Sequence, residues 1–66
     1  MTITDLELKL LEHAEHLGVR VEDDNAHRLR PGDLGGWFPT ERLIVVCSKL
    51  GPRNRVHTLG HELGHA

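Results

Sequence analysis

Three residues near the end of the chain carry its strongest chemical signal. His61-Glu62-Leu63-Gly64-His65 has the form H-E-x-x-H. On a helix, four residues advance about 6 Å and turn about 400°. Both imidazoles then leave one face and can share one ion. Zinc accepts each through nitrogen at about 2.0–2.1 Å. Glu62 directly follows His61, so it flanks the ligand pair without belonging to it. A carboxylate there can take a proton from metal-activated water and return it to a leaving amine, which is the chemistry of peptide hydrolysis. His61 and His65 are the candidate metal ligands, Glu62 the candidate catalytic acid/base, and Zn2+ the implied cofactor.

The pattern alone is short. With six histidines and six glutamates in 66 residues, its random expectation is roughly 5%. The setting strengthens it. Gly51-Pro52 suits a helix start, proline being at home in the first turn. Val56, Leu59 and Leu63 recur on one face, the core side of an amphipathic helix. Leu59 and Leu63 lie about 200° around from His61 and His65, so the leucines can enter a core while the histidines face a cleft. Gly60 and Gly64 weaken the helix but can admit a sheet or substrate at close range. His57 is displaced about 80° from His65 on the same helix. It reads as a neighbour, because tetrahedral zinc draws its ligands from different elements. His13 and His16 read as exposed helix residues and His27 as a loop residue, so no third ligand is evident.

Other elements must position this helix. Thr4-Asp5-Leu6-Glu7 has the form of a capping box. Ile3, Leu6, Leu10, Ala14 and Leu17 follow at helical spacing and Gly18 suits the C′ position. A helix is predicted over 5–17. Val19 to Glu22 alternates as a short strand and Asp23-Asp24-Asn25 breaks it. Pro31-Gly32-Asp33 should bend the chain. Trp37-Phe38 and Leu43 to Cys47 read as strands joined by a hairpin turn at Pro39 to Arg42. The unbroken run Leu43 to Val46 suggests a strand covered on both faces, with Cys47 a small buried residue at its end. The fold class is α+β: an N-terminal helix, a small antiparallel sheet of about three strands and the H-E-x-x-H helix.

Length and charge narrow the classes. A chain of 66 residues is at most one small domain, able to bury only about 60% of its unfolded surface. One cysteine forbids an internal disulfide, leaving a metal, a partner or further sequence as stabiliser. A lone thiol and no secretory segment suggest a cytoplasmic setting. No apolar run approaches the ~18 residues of a membrane span. Residues 1–24 hold seven acids and two bases, and residues 27–66 hold six bases and three acids. That is no basic stripe, so direct nucleic-acid binding ranks last.

Taken in order, the segments "EHLGVRVE" (15–22), "LRPGDLGGWF" (29–38), "RLIVVCSKL" (42–50) and "RNRVHTLGHELGHA" (53–66) resemble the ImmA/IrrE family of metallopeptidases. The resemblance implies zinc on His61 and His65, with Glu62 as acid/base. It implies a strand at Leu43 to Val46 beside the active-site helix, and a groove for extended substrate involving Trp37, Leu43, Ile44 and Val45. The implied substrate class is a cytoplasmic DNA-binding repressor. In that family the third ligand, usually acidic, lies on a later helix. Residues 1–66 are therefore expected to be the N-terminal portion of a metallopeptidase domain, inactive alone. Peptide deformylases share a similar helix but add a cysteine ligand in an upstream segment that "VVCSKL" does not resemble. The alternative to a protease is a non-catalytic protein-binding module that holds a partner at its sheet edge and an unmatched apolar helix face.

Overall fold

Two overlapping Thr-x-x-acid boxes compete for the first helix start, and the earlier one wins. The structure is a computed structural model that describes residues 2–66. Thr2 caps α1 (Ile3–His16): its hydroxyl accepts from the Asp5 N–H, and the Asp5 carboxylate accepts from the Thr2 N–H, both at 3.1 Å. The Thr4–Glu7 box is not the cap. Starting at Ile3 adds a backbone bond, the Leu6 N–H donating to the Thr2 carbonyl at 3.1 Å. At the other end Gly18 takes φ +70°. The Gly18 and Val19 N–H groups donate back to the Glu15 and Ala14 carbonyls at 3.0 and 2.9 Å, a Schellman closure. That closure uses the Val19 N–H, so the next strand begins one residue later than the alternation suggests.

β1 (Arg20–Asp23), β2 (Gly35–Phe38) and β3 (Leu43–Val46) form one sheet in the order β1-β3-β2. The antiparallel expectation holds for β2 and β3, with Trp37 opposite Ile44. It fails for β1, which runs parallel to β3, Arg20 opposite Leu43 and Asp23 opposite Val46. The sheet is therefore mixed. The hairpin occupies one side of β3, so β1 must take the other side, and 19 residues of crossover (24–42) let it run parallel. Arg42 closes the hairpin turn at φ +48°, its N–H donating to the Pro39 carbonyl at 3.1 Å. Its guanidinium reaches back to α1, donating to the Leu17 and Gly18 carbonyls.

β3 is covered on both faces, as its composition implies: all four residues are at most 2% exposed. Ile44 and Val46 join Ala14, Val19, Leu59 and Leu63 in the core, with Trp37, Leu10 and Leu11 packed against it. Alternation sends Leu43 and Val45 to the reverse face, over which the 24–34 segment folds. There the Asp24 carboxylate accepts from the Arg28 and Leu29 N–H groups at 2.7 and 3.2 Å. The Arg28 guanidinium lies 4.1 Å from the Phe38 ring centre and pairs with Glu41. Cys47 is half-buried beyond the strand, not sealed in the core, since its N–H ends the pairing on the Leu34 carbonyl at 2.8 Å.

α2 (Pro52–His65) begins at Gly51 with proline in its first turn. Arg55 ties it to the rest of the molecule, its guanidinium donating to Glu7 of α1 at 2.7 Å and to Asp23 of β1 at 2.5 Å. The hydrogen bond donated to Glu7, then that donated to Asp23, raises the Arg55 pKa above its ordinary value. No described helix is long and apolar enough to cross a membrane.

Candidate metal centre

α2 sorts its side chains by angle. Leu59 and Leu63 are buried, while His57, His61 and His65 are exposed. The ligand candidates therefore lie off the apolar stripe, as the 200° offset requires. The Nε2 atoms of His61 and His65 are 3.2 Å apart, with ring centres at 4.8 Å and planes at 84°. Two nitrogens on a tetrahedral zinc, each at about 2.0–2.1 Å, lie about 3.3 Å from one another. The separation of the pair matches that of two ligands on one ion.

Glu62 sits 100° on from His61 and about 60° from Leu59, between the outward and inward faces. It is 8% exposed. What covers it is β2. A Cβ placed on Gly35 would fall 2.6 Å from Thr58 Cγ2, 3.3 Å from Glu62 Cγ and 3.3 Å from the Val45 carbonyl oxygen. The missing side chain at Gly35 is what lets α2 lie this close to the edge strand. Thr58, buried one turn before Glu62, completes the contact. Sequence reasoning passed over both Gly35 and Thr58. The available signal was a glycine inside a strand, which often marks close backbone approach. No described strand lies close to Gly60 or Gly64. A Cβ on Gly64 would meet nothing within 4 Å, and one on Gly60 only Leu10 Cδ1 at 4.0 Å.

The other expected residues are dispersed. Trp37 is on the edge strand beside α2, half-buried against the core. Leu43, Ile44 and Val45 are buried in the central strand with backbone partners on both sides. That leaves neither a free edge nor an exposed side chain there for an extended peptide. His27 takes φ +54° in the covering loop, away from α2. No group of three or more His, Cys, Asp or Glu able to hold a metal occurs among the described residues. Two concavities lie along the 22–33 segment, one bordered by Asp23, Ala26 and Val45, the other by His27, Pro31 and Cys47. Neither includes an α2 residue, and the histidine pair is itself exposed.

No protein-family model matches this chain, and no solved structure matches it. Among curated proteins it is similar to the capsid polyprotein VP90 of Human astrovirus-7, 38% identical over 53 residues, covering 74% of this chain. The chain spans 7% of that polyprotein's length. The resemblance to ImmA/IrrE metallopeptidases is therefore withdrawn: the comparisons give a partial likeness to a capsid polyprotein and no metallopeptidase family. The segments that suggested it have structural reasons for their residues. "LGG" admits α2 to β2, "LIVV" is a doubly covered strand, and the glycine of "EHLGV" closes α1. Such demands recur in unrelated folds.

Proposed function

We propose that α2 carries the ligand pair and the base of a zinc-dependent peptide hydrolase. The observation supporting this most directly is the 3.2 Å separation of the His61 and His65 Nε2 atoms on an exposed helix face. Zinc bound there supplies Lewis acidity and brings a coordinated water's pKa near 7. His61 and His65 hold their rings at one side of the helix. Glu62, whose stem packs against Gly35 and Thr58, is in this reading the group that accepts a proton from water and delivers it to the departing amine. Trp37 and the open edge of β2 are the substrate-binding elements of this reading, since an edge strand offers unpaired backbone to an extended polypeptide.

Two ligands do not complete a catalytic zinc site, which takes three protein ligands and an open position. The 66 residues by themselves are accordingly proposed to bind zinc weakly and to leave peptides intact. A repressor as substrate came from the withdrawn resemblance alone, and no residue here selects it. A capsid role is not adopted, because the shared stretch is 7% of the astrovirus polyprotein. The lone thiol Cys47 supports a reducing, cytoplasmic compartment.

Calorimetric zinc titration tests the assignment. His61→Ala or His65→Ala should weaken zinc binding by at least about 100-fold, beyond the 10–100-fold typical of an outer-sphere partner. Glu62→Gln should stay within about tenfold of the parent, as a non-ligand does. Zinc uptake by the parent that survives both histidine substitutions sinks the reading. A Glu62→Gln loss as large as theirs makes Glu62 a ligand and not a base. A second reading, a peptide-binding module without catalysis, draws on the same open β2 edge. It gains if an extended peptide binds equally well with and without zinc.

A further inference from the structure

We infer that zinc joins two copies of this chain through His61 and His65 of each, giving a four-imidazole site at a helix–helix contact. The inference rests on the reading of these two residues as zinc ligands and goes beyond it to the source of the remaining ligands.

The pair fills two of four tetrahedral positions at nearly ideal spacing. The described residues supply no third ligand, and Glu62 is buried with its stem against β2. The missing donors must come from outside this set, and a second copy presents two identical nitrogens in the same geometry. The surface permits that approach. Gly64 lies about 60° from His61 around the helix, and open space surrounds the position a Cβ there would take. His57, the next residue back on this face, is also exposed. No bulky apolar side chain or acid stands between the pair and solvent on the last two turns. A two-fold axis through the metal makes the contact isologous and self-limiting.

Four nitrogens leave no open coordination position, which is the pattern of structural rather than hydrolytic zinc. The joined form is therefore hydrolytically silent, whatever Glu62 does in another assembly.

Sedimentation and native mass spectrometry of the whole chain, titrated with zinc alone, test this. The mass should double from 7.4 kDa at one zinc per two chains and return on adding EDTA. Cobalt in place of zinc should give the intense visible absorption of a tetrahedral site at the same stoichiometry. His65→Ala should remain monomeric at every zinc concentration, with unchanged far-ultraviolet dichroism because the residue is exposed. Gly64→Leu, which keeps both ligands but adds bulk beside them, should bind zinc without doubling. One zinc on one monomeric chain overturns the joined form and leaves the ligand assignment standing. No zinc uptake overturns both. A dimer that forms without metal, or in His65→Ala, also overturns the inference.

Discussion

Gly35 is the residue on which the position of Glu62 depends. Any side chain there meets the Thr58 methyl at 2.6 Å, closer than real carbon contacts allow. Gly35→Ala should destabilise the fold by about 1–3 kcal/mol, the usual cost of overpacking, read from urea unfolding. Thr58→Ser removes the clashing methyl, so the double substitution should recover much of that loss. Strict additivity of the two would show that the contact is not where the strain lies. Glu41 offers a separate test on the opposite face. The hydrogen bond from Arg28, then its charge, lowers the Glu41 pKa below its ordinary value. A carboxylate lowered on folding adds stability above its unfolded pKa, and that contribution fades as pH falls through the folded value. An NMR titration should find Glu41 below the usual glutamate range, and Arg28→Gln should bring it back. An unmoved titration in Arg28→Gln would disconnect the two groups.

At the scale of elements, α1 ends where Gly18 turns left-handed. Gly18→Ala meets no steric neighbour closer than Arg42 Nε at 3.8 Å. Its cost should be conformational only, about 1 kcal/mol. A loss several times larger would mean that the substitution also breaks the hydrogen bonds from Arg42 to the Leu17 and Gly18 carbonyls. Elements of this kind were legible because their causes are local. The glycine stop, the apolar stripe of α2 and the doubly covered β3 each follow from spacing within a few residues. Boundaries were less legible. Thr2-x-x-Asp5 and Thr4-x-x-Glu7 offer the same cap two residues apart, and only an added backbone bond separates them. The direction of β1 could not be read, because a four-residue strand carries no mark of which neighbour it will pair with. The spacing of His61 and His65 on α2 followed from helix geometry alone. The shelter of Glu62 did not, since it depends on a strand that arrives from about 27 residues away in the chain. The family resemblance failed for a related reason. Residues demanded by packing were read as the marks of a lineage.

For the whole molecule, Arg55 does what a disulfide cannot in a chain with one cysteine. One guanidinium joins α1, the end of β1 and α2. Arg55→Met keeps the aliphatic stem and removes both ion pairs. It should cost about 1–2 kcal/mol, allowing for partial exposure. In a domain this small that is a fall in Tm of roughly 4–16 °C. A change under about 2 °C by calorimetry would mean that the three elements are held by their apolar contacts alone. The parallel pairing of β1 with β3 has a consequence during synthesis. Arg20 must wait for Leu43, its partner 23 positions downstream, before its strand has any neighbour. While the ribosome makes the intervening stretch, α1 and β1 trail as an unfinished N-terminal third with an open backbone edge. The domain can close only after β3 and then α2, which brings Leu59 and Leu63 to the core, have left the exit tunnel, so translational pauses before that point should prolong exposure to chaperones.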